Sequence, residues 1–158
     1  MIPDQIIYRN NAGVQIELNE EFNFRYPLQE FEMNVYHEQS PQSKMQQPGE
    51  WPTYSYPRYR AFNLKGSILG TDANGYNDAA SDMKEVIQPP YAFYDLRKHG
   101  TLFLRFYGDG TVYHMDVQLV TLETPKIANY PSVGDYIINW RGFEPYLRTS
   151  SNVVSLRY

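Results

Sequence analysis

Along most of this chain apolar and polar residues alternate, and that two-residue period restricts it to folds made mostly of strands. Successive side chains of a strand point to opposite faces, whereas a helix brings residues three or four apart onto one face. Ile6 and Tyr8 lead into the turn-rich cluster Asn10-Asn11-Ala12-Gly13, and Val14, Ile16 and Leu18 then alternate with Gln15 and Glu17. This predicts an opening hairpin. Phe22, Phe24 and Tyr26 predict a further strand stopped by Pro27, and Phe31, Met33 and Val35 another. Phe62, Leu64, Gly66 and Ile68 face one way while Asn63, Lys65 and Ser67 face the other, and Gly70 ends that run. Leu102, Leu104 and Phe106 pair by pattern with Tyr113, Met115, Val117 and Leu119. Gly108, Asp109 and Gly110 lie between them as a tight hairpin turn, with Asp-Gly supplying the positive φ such a turn needs. Tyr136, Ile138 and Trp140 form a last long strand, ended by Gly142 and Pro145.

One stretch breaks the period. Over residues 72–88, Tyr76, Ala79, Ala80, Met83, Val86 and Ile87 recur at spacings of three and four, the stripe of an amphipathic helix. Thr71 or Asp72 caps its start, and Pro89-Pro90 ends it. About eight strands and one helix, with no internal repeat, predict a mainly β (α+β) fold. The expected form is a single domain over 1–158, a β-sandwich or barrel with the helix packed outside.

A chain of 158 residues buries roughly two-thirds of its unfolded surface, so no staple is needed. It has no cysteine, which excludes thiolate metal sites, a thiol nucleophile and disulfides. A net charge of −4 argues against binding nucleic acid by charge alone. The start, Met1-Ile2-Pro3-Asp4-Gln5, has neither the basic nor the apolar region of a signal peptide, and no apolar run is long enough for a membrane span. Synthesis in a cytoplasm and no membrane insertion are therefore expected.

Residues 37–57 carry four prolines and no alternation, so they read as a long Pro/Gln/Tyr-rich loop. The aromatic content is high, with 15 Tyr, 8 Phe and 2 Trp, and part of it clusters here. Met45, Trp51, Tyr54, Tyr56 and Tyr59, with Tyr146 further on, are the candidate contacts for another subunit or partner, because Tyr and Trp anchor interfaces and prolines lower the ordering cost. Packing of the loop back onto its own core and a sugar-stacking platform at Trp51, Tyr54 and Tyr56 are the other readings. Residues 150–158 read as a β-prone C-terminal arm with no partner identifiable by pattern.

Catalytic signals are sparse. His114 and Asp116 share a strand face, the spacing of a base and its orienting carboxylate, but two solvated residues on the wet face of a hairpin explain them as well. His37 and His99 lie apart, and three scattered histidines make a poor metal set. Asp72-Ala73-Asn74-Gly75 starts like a calcium loop, but its glycine comes too early and no Glu follows at the twelfth position, so it reads as a helix cap. The glycines at 108 and 110 lack the Gly-Lys-Ser/Thr of a phosphate loop. The expectation is a non-enzyme without metal or cofactor.

From Tyr59-Arg60-Ala61-Phe62-Asn63-Leu64-Lys65-Gly66-Ser67-Ile68-Leu69-Gly70 onward, the order of elements resembles the distal tail proteins of long-tailed bacteriophages. In that family a capped helix with an Ala-rich stripe and a hairpin follow, here Asp72, Ala79–Met83–Val86, and Gly100 through Gly108-Asp109-Gly110-Thr111 to Val117. The closing strand Asp135-Tyr136-Ile137-Ile138-Asn139-Trp140 ends in Glu144-Pro145-Tyr146-Leu147, where the family often has Trp at the position of Leu147. The likeness covers roughly 28–148, without the carbohydrate-binding module many members add. It implies a minimal member in the virion, one protomer of a hexameric ring at the tail tip. Such a ring joins the tail tube protein to the tail-tip hub and to fibres or receptor-binding proteins, near the tape measure, with DNA only as passing cargo. A tail tube or tube-terminator subunit, and a carbohydrate-binding β-sandwich module, are the alternatives.

Overall fold

The structure is a computed structural model that describes residues 2–19, 25–38, 42–43, 50–51, 56–88, 99–106, 110–125, 130–149 and 153–154. In chain order the strands are β1 (Gln5–Asn10), β2 (Gln15–Leu18), β3 (Leu28–Glu38), β4 (Gln42–Ser43), β5 (Glu50–Trp51) and β6 (Tyr56–Leu69). The helix α1 (Ala73–Ile87) follows, then β7 (His99–Arg105), β8 (Val112–Glu123), β9 (Val133–Gly142), β10 (Leu147–Arg148) and β11 (Val153–Val154). Among the described residues no helix is long and apolar enough to cross a membrane.

All pairings are antiparallel, and the main sheet runs in the order β2-β1-β7-β8-β9-β6-β3. Its two end strands, β2 and β3, are consecutive among the long strands, so the chain crosses from one edge of the sheet to the other. The crossing is short because the sheet is curled. The Asn19 amide donates to the Tyr26 carbonyl at 2.9 Å, and Asn19 Oδ1 accepts from the Leu28 amide at 3.3 Å. Asn19 has a left-handed φ of 60°, a conformation Asn tolerates better than most residues. Phe31 of β3 lies 6.4 Å, centroid to centroid, from Phe106 at the end of β7, which confirms contact across the interior. The mainly β fold with one helix is thus as expected, and the curl makes it a partly closed barrel.

The helix does not sit outside. Its stripe of Tyr76, Ala79, Ala80, Met83 and Ile87 belongs to the same buried cluster as Ile6, Leu18, Leu64, Leu104 and Ile138 of the strands. It touches β1, β2, β6, β8 and β9, strands spread across the sheet from its β2 edge to β6, the neighbour of its other edge. With its stripe in the same core as the inward strand residues, the helix lies across the hollow of the curl. The outer face of the sheet is too polar to bury an apolar stripe, whereas the hollow offers one continuous apolar surface. Three tyrosine and asparagine contacts fasten the helix: Tyr26 OH donates to the Ala79 carbonyl at 2.7 Å, Asn10 Nδ2 to Val86 at 3.1 Å, and Tyr76 OH to Thr124 at 3.3 Å. Asp72 is its N-cap, accepting from the Gly75 amide at 2.7 Å, and Gln88 its C-cap.

Glycines opposite tyrosines let the interior close. Gly66 is registered with Tyr136, and a Cβ on Gly66 would overlap the Tyr136 ring and the Pro27 carbonyl. A Cβ on Gly100 would likewise overlap the Tyr8 ring, and one on Gly134 the Tyr76 ring. These three tyrosines are buried, and burial pushes the Tyr8 hydroxyl up to about 12 and raises those of Tyr76 and Tyr136 as well. Asp135 adds to the shift at Tyr76, and Tyr26 to that at Tyr136.

Three local expectations change. Pro27 does not stop a strand: its carbonyl accepts from Ser67 and that of Arg25 from Leu69, both at 3.0 Å, so 25–27 already lies against β6 and leads into β3. Phe22 and Phe24 lie outside the described residues. The described β7–β8 ladder runs from His99–Gln118 to Arg105–Val112. Gly108 and Asp109 of the expected turn lie outside the described residues. The loop assigned to 37–57 is strand at both ends, with His37 registered to Pro57 and Glu38 to Tyr56. A register shift just before His37 creates an irregularity where a proline is tolerated. The C-terminal arm finds its partner in β10, with Leu147 opposite Val154.

Candidate functional site

Two surface features follow from the strand registers. The first lies at the β3 edge. Inward-facing Phe31 and Met33 fix the phase of β3, so Glu30, Glu32, Asn34 and Tyr36 face out. Tyr36 is registered with Tyr59 of β6, and their rings stack at 4.9 Å and 14°. Arg141, on the outward phase of β9, lays its guanidinium over the Tyr59 ring at 4.0 Å. The result is an Arg–Tyr–Tyr stack spanning three strands, with Tyr36 still 46% exposed at the outermost. Each step is of a kind worth about 0.5–1 kcal/mol.

Next to the stack, the outer face of β3, β6, β9 and β8 carries Glu30, Glu32, Glu123 and Asp135 against Lys65. Polar side chains bridge these strands: Gln29 Nε2 donates to Ser67 Oγ at 2.7 Å, and Asn139 Nδ2 to Thr121 Oγ1 at 2.6 Å. This face is wet and mainly acidic.

The second feature lies on the opposite half of the sheet. After Gly142 the chain bulges through Phe143–Tyr146 before β10 returns to β8, with Arg148 registered to His114. Buried Arg60 holds the bulge from below, its Nε donating to the Pro145 carbonyl at 2.8 Å, and the Phe143 amide donates to the Asp116 carbonyl at 3.3 Å. The bulge walls a groove made of two adjoining depressions of about 640 and 340 Å³ that share Thr101, Asp116 and Phe143. Phe143 rests against His99 at 4.8 Å and is 47% exposed; Tyr146 is 38% exposed. Asp116 accepts from Thr101 Oγ1 at 2.9 Å, and Glu144 pairs with Arg148.

The sequence candidates divide between these places. Tyr59 joins the stack. Tyr146, His114 and Asp116 line the groove. His114 packs by Phe103, with 6.1 Å between centroids, while the Asp116 carboxylate is held by Thr101. Trp51 and Tyr56 have their backbones in β5 and β6 but not their side chains among the described residues; Met45 and Tyr54 lie outside them altogether. Among the described residues no group of three His, Asp or Glu is placed to hold a metal ion. Tyr36, Arg141 and Phe143 were missed as candidates. The signal for Tyr36 and Arg141 was their phase, a large aromatic or a cation on the outward count of a strand whose other phase fills the core; Phe143 lies in the bulge past β9, where no phase marks it.

No family model matches the chain, and no curated protein matches it. Among solved structures it is similar to a chain in the tail of an empty gene transfer agent (GTA) particle computed with helical refinement under C6 symmetry. There the identity is 11%, the coverage 94% of this chain and 96% of that one, and the TM-score 0.46. It is also similar to a chain in the virion of the native GTA particle, with 11% identity, the same coverage and a TM-score of 0.47.

Proposed function

We propose that this chain is a structural protein of a bacteriophage tail, assembling as a hexameric ring at the distal end of the tail tube. The observation that carries the reading is the β3 edge. β3 is eleven residues long, and among the described residues its only ladder is with β6, so one edge offers backbone donors and acceptors to a neighbouring subunit. The Arg–Tyr–Tyr stack beside it supplies aromatic anchors at the same place. Head-to-tail contacts of this kind form a ring when the rotation between subunits closes, and sixfold closure is the form proposed.

The ordered resemblance to distal tail proteins supports the choice of the tail tip, and the acidic outer face supports a lumen that repels passing DNA. On this reading the tube protein and the hub take the two ends of the ring, and fibres or receptor-binding proteins its periphery. The chain does no chemistry, and His114→Ala leaves its role intact.

Size-exclusion chromatography with light scattering, and electron microscopy of the chain with its tube protein, test the proposal. Sixfold rings capping the tubes are expected, and Tyr36→Ala weakens their assembly by about 1 kcal/mol or more per interface. Stacked rings along the whole tube would assign the tube role instead. A monomer that forms no ring even with tube protein present would sink the proposal.

A further inference from the structure

We propose that the groove between the Phe143–Tyr146 bulge and the outer face of β7 and β8 is a saccharide-binding site. Its volume is in the range of ligand sites, yet it is an open trough rather than a closed cavity, the shape for a chain-like ligand lying along a surface. Phe143 and Tyr146 stand on its wall as exposed rings, and no core role accounts for them. Ring faces of this kind take the C–H faces of sugars. Asp116, held in place by Thr101, is a fixed acceptor on the floor, and His99 and Arg148 bring polar hydrogen-bonding groups to its two ends. Rings on the wall above a pinned carboxylate form the chemistry that recognises a polyol ring: apolar on one face, hydroxyls around the rim.

Other occupants fit less well. An extended peptide would need a strand edge to pair with, but along the groove β1, β7 and β8 are each already paired on both sides. A nucleic-acid backbone would meet Asp116 and Glu144, and the arginines near them are already engaged: Arg148 by Glu144, and Arg9 by Gln15 and the face of Phe103. A neutral or sparsely charged sugar meets neither obstacle. The bulge is also held from inside. Its base is fastened by Arg60 from inside the barrel, so Phe143 and Tyr146 are presented on a braced turn.

The proposal concerns the chain by itself, so it stands or falls independently of ring assembly. The isotope-labelled full chain is titrated with chitotetraose, maltotetraose and mannotetraose at millimolar concentration and followed by backbone amide resonances. At least one of these sugars is expected to shift Thr101, Phe103, Asp116, Phe143 and Tyr146 together. Phe143→Ala and Asp116→Asn, both at exposed positions, are expected to keep the native spectrum and weaken binding about tenfold or more. No shift at these residues with any of the three sugars overturns the proposal. So does sugar binding that survives both variants, or binding at these residues by an acidic peptide alone.

Discussion

Tyr8 and Tyr26 show how differently two buried hydroxyls act. The Tyr26 hydroxyl donates to the Ala79 carbonyl and so fastens the chain before β3 to α1. The Tyr8 hydroxyl is buried with no hydrogen-bond partner among the described residues, while its ring stacks on Trp140 at 5.1 Å. Removing a made bond costs about 1 kcal/mol, whereas removing an unmade one relieves a desolvation penalty. Tyr26→Phe is therefore expected to lower stability by about 1 kcal/mol in urea unfolding, and Tyr8→Phe to leave it unchanged or raise it. Equal losses for both would contradict this account. The residue scale also shows what spacing could and could not reveal. The inward phase of every long strand was legible, down to Gly66 facing in with Phe62 and Leu64. The reason for Gly66 was not: it is the ring of Tyr136, which comes seventy positions later in the sequence and directly opposite in register.

Elements are set by local chemistry where local chemistry suffices. The helix was legible in full because its stripe, cap and proline stop all lie within one stretch of sequence. Asp72→Ala removes the acceptor for the Gly75 amide and is expected to cost about 1 kcal/mol, seen as a fall in Tm of roughly 2–4 °C for a chain of this size. No change in Tm would mean the cap is idle. β10 and the partner of the β-prone arm were not legible, because two-residue strands carry no period; β10 and β11 pair where the bulge returns the chain to β8. The 37–57 segment misled at its ends for a related reason. Proline argues against a central strand, but β3 and β6 continue to Glu38 and Tyr56 past a register shift that accommodates Pro57.

Across the whole molecule the curl of the sheet collects the apolar phases and the helix stripe into one core, with Tyr8, Tyr76 and Tyr136 buried in it. Their hydroxyls are harder to ionise folded than unfolded, since burial disfavours the charged form. Their contribution to stability is thus fully present below the ordinary tyrosine value of about 10 and is lost as pH rises toward and through 12. Urea unfolding at stepped pH is expected to show a plateau to about pH 9 and a decline above 10, made shallower by Tyr8→Phe; a flat profile to pH 12 would refute it. By itself the sequence determined the strand-rich class, the helix with its cap, and which phase of each strand is buried, because these depend on residues two to four positions apart. Only the tertiary structure decided that the helix fills the hollow instead of covering the outside, that Tyr36, Tyr59 and Arg141 meet in one stack, and that Phe143, Tyr146 and Asp116 share a groove. Those outcomes depend on register and curl, which join residues far apart in the chain, and no local pattern encodes them.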